Sequence, residues 1–434
     1  MTNAVLNNQI QLITYVDRLS GGKITDLHNL LNGALAGLFD GVHLLPFYPP
    51  IDGEDAGFDP TDHTAVDSRL GDWTDIERLA ADYPLMADMI VNHMSAQSPQ
   101  FLDVLDKGDA SPFWPLFLTR DKVFGDTPAA AELAAIYRPR PTPCFSDITL
   151  SNGQTVPFWT TFTANQIDID VSSAAGKAYL QAILDRFTEN GVKYIRLDAA
   201  GYAIKKAGTR CFMLPETFEF IAALSEQAKA RGMLCLVEIH GYHQTQIDIA
   251  KRCDMVYDFA LPPLVLHTLF SRNADALKHW LDIAPRNCIT VLDTHDGIGI
   301  VDAADHNGEP GLLTDPELDA LVEKIHQNSK GSSKLATGNA ANNHQGKSGS
   351  AHQLAWLALH CNHCIKGQNT ISVSCHNQML PGMLSNSASK LTNNSGMASK
   401  LHQGSQRIFD ISASAGLPPN SNTLKKAINN VRPA

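Results

Sequence analysis

Three acidic side chains stand near the ends of apolar runs that lie far apart in the 434-residue chain. Asp198 closes VKYIRLD (192–198), Glu238 lies in MLCLVEIH (233–240) and Asp296 ends CITVLDTHD (288–296). Converging carboxylates suit glycoside chemistry, in which one attacks the anomeric carbon and another protonates the leaving oxygen, about 5–5.5 Å apart in retaining enzymes. We therefore predict that Asp198, Glu238 and Asp296 are catalytic.

Basic and imidazole side chains accompany these acids. Arg196 precedes Asp198 by two residues and so points to the same side of a strand, where its cation would keep Asp198 ionised. The small residues at 199–201 would leave room for a sugar. Histidines flank the predicted strand ends at His93, His240 and His295.

The runs that carry these residues have the length and composition of buried strands. Helical patterns lie between them, for example at 72–83 and around Leu180, Ile183, Leu184 and Phe187. Alternating strands and helices predict a parallel sheet covered by helices, and polar residues at the carboxyl ends favour a (β/α)8 TIM barrel. An open, doubly wound sheet is the alternative, although its glycine-rich loop is absent. The predicted strands are 10–16, 40–47, 84–93, 192–198, 233–240, 255–261 and 288–296.

The connection between residues 93 and 192 is too long for a structureless loop, which predicts an inserted domain. Within it, ITLSNGQTVPFW places an Asn-Gly turn between two β-type runs and predicts a hairpin. The predicted organisation is a first barrel part (1–93), an inserted domain (94–170), a second barrel part (171–343) and an anomalous tail (344–434).

The tail differs in composition from the rest of the chain. Of 45 acidic residues 44 precede Gly331, and of 34 basic residues 25 do. We favour a tail translated in an altered frame or otherwise unrelated to the fold, and we expect it to be poorly ordered. A divergent extension, with a short helix in HQLAWLALHC (352–361), is the alternative.

The totals exclude several classes of protein. The net charge of −11 argues against nucleic acid and anionic membranes as partners. We find neither a signal peptide nor an apolar run long enough to span a membrane, and scattered cysteines are typical of free thiols in a cytoplasmic protein. We predict no cofactor, and we disfavour a metal site at His240 and His243 or in HCNHC (360–364) for lack of matching ligands.

Several longer stretches together resemble the α-amylase clan of glycoside hydrolases (family 13) and, within it, the sucrose phosphorylase family. They cover most of residues 9–302 in the family's order. The stretches are QLITYVDRL, DGVHLLPFYPPIDGEDAGFDPTDHTAVDSRLGDW, ADMIVNHMS, IYRPRP, YIRLDAAGYAIKKAGTRCFM, VEIHGY, YDFALPPL and VLDTHDGIGI.

The resemblance implies a retaining double displacement that converts sucrose and inorganic phosphate to α-glucose 1-phosphate and fructose. Asp198 would be the nucleophile, Glu238 the acid and base, and Asp296 the third carboxylate, with Arg196 supporting Asp198. The further substrate-binding residues that it implies are Asp55, Phe58, His93, Arg140, Phe162, Gln166, Tyr202 and His295, of which Arg140 would meet phosphate.

The resemblance leaves other donors and assemblies open. Relatives that act on phosphorylated sucrose tend to carry a basic residue where this chain has Pro139, which favours plain sucrose. Phosphorylases of sucrose 6-phosphate, glucosylglycerol or glucosylglycerate, and a hydrolase, are alternatives, and a homodimer is left open.

The resemblance ends at residue 343. An acceptor-loop motif, an eighth strand, an arginine sugar clamp and a C-terminal β-domain are not visible in 344–434. We therefore expect the eighth strand to be missing or replaced, with unpaired edges on the first and seventh barrel strands. A truncated, inactive remnant that at most binds sugar is the corresponding alternative function.

Overall fold

The computed structural model describes residues 10–328, except 53–55, 126, 140–141, 292–297 and 307, together with the backbone of three short strands further along the chain. The strands in chain order are β1 Ile10–Thr14, β2 Gly41–Leu44, β3 Leu85–Ile90, β4 His93–Ser95, β5 Phe145–Thr149, β6 Thr155–Trp159, β7 Gln166–Asp168, β8 Tyr194–Asp198, β9 Leu234–Val237, β10 Met255–Asp258, β11 Cys288–Thr290, β12 Ile298–Gly299, β13 Trp356–Leu357, β14 Thr370–Asn377 and β15 Phe409–Ser412.

Helices fill the connections between most of these strands. They are α1 Val16–Ser20, α2 Ile24–Asn32, α3 Trp73–Asp82, α4 Pro99–Lys107, α5 Arg120–Phe124, α6 Ala130–Ala135, α7 Ala174–Glu189, α8 Pro215–Ala230, α9 His243–Ala250, α10 Leu261–Ser271, α11 Asp275–Ile283 and α12 Asp315–Asn328. No helix within the described part of the chain is long and apolar enough to cross a membrane.

Seven parallel strands form the main sheet in the order β1, β2, β3, β8, β9, β10 and β11. Nearly every residue of these strands is buried, as expected when helices cover one face of the sheet and the other face points into the barrel interior. The predicted (β/α)8 barrel is thereby confirmed. The predicted strand at 255–261 is too long, because the chain leaves β10 after Asp258 and turns into α10, which begins at Leu261 and continues with two prolines.

Helices pack on this sheet through the predicted apolar faces. Helix α7 buries Leu180, Ile183, Leu184 and Phe187 and ends before Gly191, whose φ of +77° favours glycine. Helix α3 begins with a capping box in which Asp72 accepts from the backbone of Thr74 and Asp75. These helices hold the strands so that their carboxyl ends open on one side.

The segment between β3 and β8 carries its own small elements. The predicted hairpin is confirmed, because β5 and β6 pair antiparallel around a turn at Asn152 and Gly153. Strands β4 and β7 form a second antiparallel pair, in which His93 lies opposite Asp168. The domain boundaries assigned from sequence stay predictions.

The place of an eighth parallel strand is taken by β14, which runs antiparallel to both of its barrel neighbours. Ile10–Ile13 of β1 pair with Ser372–Cys375, and Cys288–Thr290 of β11 pair with Cys375–Asn377. The expectation of a replaced strand agrees with this arrangement, whereas the expectation of unpaired edges is wrong, since β14 supplies hydrogen bonds to both. Trp356–Leu357 pair with β12 and so are not helical, and most of the tail lies outside the described residues.

Candidate active site

Asp198 is the last residue of β8 and lies at the mouth of the barrel, where 12% of its side chain is exposed. The chain turns sharply after it, because Ala199 has a left-handed φ of +55° and Ala200–Tyr202 form a 3-10 turn. The small residues here serve packing as well. A Cβ on Gly201 would lie 2.8 Å from the Phe212 ring, so glycine at this position lets that ring pack against the turn.

Arg196 joins the two candidate catalytic carboxylates that the structure describes. Its Nη1 donates to Asp198 Oδ1 at 2.9 Å, and its Nη2 lies 2.9 Å from Glu238 Oε1. The other carboxylate oxygen of Glu238 accepts from the Ala199 backbone at 3.4 Å. Asp198 at the end of β8 and Glu238 just after β9 are therefore held side by side by one guanidinium.

A third carboxylate, Asp88 of β3, completes the ion cluster. Arg196 Nη1 donates to Asp88 Oδ1 at 2.5 Å, and His43 Nε2 lies 3.0 Å from Asp88 Oδ2. Burial opposes the charge of Arg196, but the carboxylates of Glu238, Asp88 and Asp198 outweigh it and hold the guanidinium pKa well above its ordinary value. Arg196 is therefore a fixed cation beneath the site.

Sequence reasoning missed Asp88, although a signal was present. The residue interrupts the apolar run LMADMI, and a charge in a buried strand needs a partner. Asp88 is completely buried, and its backbone carbonyl accepts from the Tyr48 hydroxyl at 2.6 Å. Nearby His63 is also buried, and burial lowers its imidazole pKa to about 4.

Four of the predicted sugar-binding side chains line one side of the cluster. The Phe58 ring lies 5.4 Å from the guanidinium carbon of Arg196. The rings of His93 and Phe162 meet edge-on at 5.3 Å, and those of Phe162 and Tyr202 at 5.2 Å. Together Phe58, His93, Phe162 and Tyr202 form an aromatic wall, here called the sugar wall because the sequence predicted sugar binding for its members.

Gln166 supports this wall from behind. It is completely buried, its Nε2 donates to the Phe58 carbonyl at 3.3 Å, and its Oε1 accepts from Thr163 at 3.0 Å. His93 Nε2 lies 2.8 Å from the same carbonyl. The described contacts of Gln166 thus place Phe58, and its assignment as a sugar ligand stays a prediction.

His240 lies beside Glu238 and is fixed from two directions. Its Nδ1 is 3.0 Å from Asp302 Oδ2, and its ring stacks on Phe259 at 3.7 Å. Its Nε2 is 3.9 Å from Glu238 Oε1. Among the described residues, no three His, Cys, Asp or Glu side chains are grouped so that they could hold a metal ion.

Four predicted site residues lie outside the described residues: Asp55, Arg140, His295 and Asp296.

The sequence did not predict a second buried cation near the site. Lys205, seven residues after Asp198, is buried and pairs with Asp168 at 2.8 Å. A lysine in an irregular loop gives no sign in the sequence that its side chain points inward.

Comparison with known proteins gives this geometry a context. A sequence model of the alpha-amylase catalytic domain matches residues 36–296. Sucrose phosphorylase of Agrobacterium vitis is 58% identical over 339 residues, which cover 78% of this chain and 70% of that protein. Sucrose phosphorylase of Bifidobacterium adolescentis is 48% identical over 341 residues, covering 78% and 68%.

A solved structure agrees with the sequence comparisons. The crystal structure of sucrose 6F-phosphate phosphorylase from Thermoanaerobacter thermosaccharolyticum superposes with a TM-score of 0.70 at 35% identity. The match covers 75% of this chain and 66% of that one. The chain thus spans about two thirds of the length of these proteins.

Proposed function

Because the chain belongs to the α-amylase family, and within it to the sucrose phosphorylase enzymes, we propose that it transfers a glucosyl unit from sucrose to inorganic phosphate. The products would be α-glucose 1-phosphate and fructose. The observation that carries the proposal is the single buried guanidinium of Arg196 in contact with both Asp198 and Glu238.

The first step would break the glycosidic bond of sucrose. An Asp198 oxygen attacks the anomeric carbon of the glucosyl unit while Glu238 gives its proton to the departing fructosyl oxygen. In the second step a phosphate oxygen displaces Asp198 from that carbon, and Glu238 takes the phosphate proton. Two inversions return the α configuration.

The contacts of Arg196 bear on the roles proposed for Asp198 and Glu238. One guanidinium faces three carboxyl groups, so full ionisation would leave an excess of buried negative charge. The proposed mechanism requires a proton on Glu238 before sucrose is cleaved. Arg196 Nη1 donates to Asp198 Oδ1, and this cation would keep Asp198 as the nucleophilic carboxylate.

The remaining residue roles are part of the same proposal. Phe58, His93, Phe162 and Tyr202 would bind the glucosyl unit, since their side chains converge beside the carboxylates. For the residues outside the described range we keep the roles expected from the resemblance. These are glucosyl contacts for Asp55 and His295, transition-state support for Asp296 and a phosphate contact for Arg140.

The test is incubation with sucrose and phosphate, followed by separate assays of fructose and glucose 1-phosphate. We expect equal amounts of both products and a rate loss of at least about 10³-fold in Asp198→Asn, which keeps the side-chain shape but removes the nucleophilic charge. Lys206→Met, an exposed change nearby, serves as the control. No product at high enzyme concentration, or unchanged turnover in Asp198→Asn, would refute the proposal.

The same assay separates the alternatives. Product from sucrose 6-phosphate, glucosylglycerol or glucosylglycerate but not from sucrose would reassign the donor, against the expectation from Pro139. Fructose with free glucose instead of glucose 1-phosphate would indicate a hydrolase. Glucose binding without any turnover would indicate the inactive remnant, and reading all frames of the gene near codon 343 would show whether the tail arose from an altered frame.

A further inference from the structure

Lys205 contacts three oxygens that come from three separate segments. Its Nζ lies 2.9 Å from Asn92 Oδ1, just after β3, and 2.8 Å from Asp168 Oδ2 of β7. It also donates to the backbone carbonyl of Tyr202, in the turn that follows the nucleophile. Only 1% of its side chain is exposed, so the ammonium group is fully withdrawn from water.

Each contact leads directly to a predicted sugar-wall residue. Asn92 precedes His93, and Tyr202 is itself in the wall. Asp168 accepts from the Thr161 backbone at 2.9 Å and from its hydroxyl at 2.5 Å, and Thr161 precedes Phe162. The lysine is therefore linked to Tyr202 directly, to His93 through Asn92, and to Phe162 through Asp168 and Thr161. The Phe162 ring in turn makes edge contacts with the rings of both His93 and Tyr202.

An ammonium group is suited to this junction. It has three donors and no acceptor, and here it meets three acceptors of different types, namely a carboxylate, an amide and a peptide carbonyl. A buried ion pair contributes little net stability compared with apolar packing, so its benefit lies in fixing one geometry. Arg196 contacts Asp88, Asp198 and Glu238. The contacts of Lys205 instead lead to residues of the sugar wall.

We propose that Lys205 is a positioning residue for the glucosyl subsite, fixing His93, Phe162 and Tyr202 relative to one another. The inference rests on the proposed function for the identity of the sugar. It predicts a split in kinetics, because the wall must capture the free glucosyl donor in the first half-reaction. In the second half-reaction the sugar is already bonded to Asp198, so the wall no longer has to capture it.

The kinetic test compares Lys205→Met with Lys206→Met, the same change at the adjacent, exposed lysine. We expect kcat/KM for sucrose to fall about 10- to 100-fold in Lys205→Met, as misplacement by about 1 Å does elsewhere. The value of kcat/KM for phosphate at saturating sucrose should change less than about threefold. Lys206→Met should leave both constants unchanged.

A second variant separates positioning from charge burial. Lys205→Met alone leaves Asp168 as a buried charge without its cation, and this single variant can fail to fold for that reason. Lys205→Met combined with Asp168→Asn removes both charges. We expect the double variant to fold and still to lose sucrose kcat/KM, since Asn92 and the Tyr202 carbonyl remain without their donor. Wild-type kcat/KM for sucrose in the folded double variant, or equal losses for sucrose and phosphate, would overturn the proposal.

A measurement without turnover distinguishes failure of this inference from failure of the proposed function. Amide exchange should quicken in peptides 92–95 and 161–168 of the Lys205→Met or double variant, but not in Lys206→Met, because β4 and β7 lose their shared anchor. Glucose affinity, measured calorimetrically in an Asp198→Asn background, should fall in parallel. If the wild type does not make glucose 1-phosphate, the proposed function fails, while unchanged exchange in both peptides overturns the role of Lys205.

Discussion

Asp258 is a buried carboxyl group that the proposed chemistry does not use, and its titration makes a sharp prediction. It ends β10, and its Oδ1 accepts from Trp280 Nε1 at 2.9 Å and from the Leu261 backbone at 3.0 Å. Its Oδ2 has no hydrogen-bond partner in the described part of the chain. Burial raises the pKa of Asp258 to about 7; the two donors act in the opposite direction, and Asp302 adds to the rise.

The sign of the effect follows from proton linkage. The unfolded side chain has a pKa of about 3.9, so between pH 4 and 7 the native state holds a proton that the unfolded state has lost. The free energy of unfolding therefore decreases as pH rises through this window, and it levels off above about pH 7. From pH 5 to pH 8 the Asp258 contribution falls by about 3 kcal/mol.

Asp258→Asn should remove this dependence, because an amide of the same shape does not titrate. Urea unfolding followed by circular dichroism at pH 5, 6, 7 and 8 would measure it. The variant should gain about 3 kcal/mol on the wild type between pH 5 and 8. His63 has the opposite slope below about pH 6, so the difference between the two proteins, rather than either curve, isolates Asp258.

The control is Asp147→Asn, at an exposed carboxylate of the hairpin, for which the difference from wild type should not vary with pH. A difference for Asp258→Asn that stays constant within about 0.5 kcal/mol from pH 5 to 8 would refute the argument. It would mean that native Asp258 is ionised over the whole range from pH 5 to 8 and that another group stabilises its Oδ2.

Three further changes test the surroundings of the site. Asp88→Asn removes one carboxylate from Arg196, and steady-state assays should show kcat reduced about 10- to 100-fold; a change below twofold would contradict its positioning role. His63→Gln removes a histidine whose pKa of about 4 makes stability decline as pH falls from about 6.5 to 4. The free energies of unfolding measured in urea at pH 4.5 and pH 7 should therefore differ by about 2 kcal/mol less in the variant than in the wild type. Gly201→Ala drives a Cβ against the Phe212 ring and should cost about 1–3 kcal/mol by urea unfolding, whereas an unchanged midpoint would show that the ring can move.

The sequence predicted the barrel because buried parallel strands are nearly continuous in apolar residues, and Leu234–Val237 is such a run. It predicted Asp198, Glu238 and Arg196 because polar groups at strand ends are exceptions to that pattern. The fold, rather than any local pattern, decides that Asp88 faces Arg196, since these residues are 108 positions apart and become neighbours only when β3 pairs with β8.

Two other features could not be read from local patterns. Lys205 belongs to a loop, where a lysine ordinarily lies in water, and only the position of β7 in the fold brings Asp168 to it. Strand β14 has no counterpart in the alternation of strand and helix, because an antiparallel strand needs no crossover helix before it.

Arg196 and Lys205 lie nine residues apart in one segment, which also contains Asp198 and Tyr202. Both cations are buried, and each is bound by a carboxylate from another part of the chain, Asp88 of β3 and Asp168 of β7. Moving the segment would therefore unpair two buried charges at once, at a cost that neither pair imposes alone. Asp198 and Tyr202 are thus tied to the same stretch of chain, so that a displacement of either residue is opposed by both buried ion pairs.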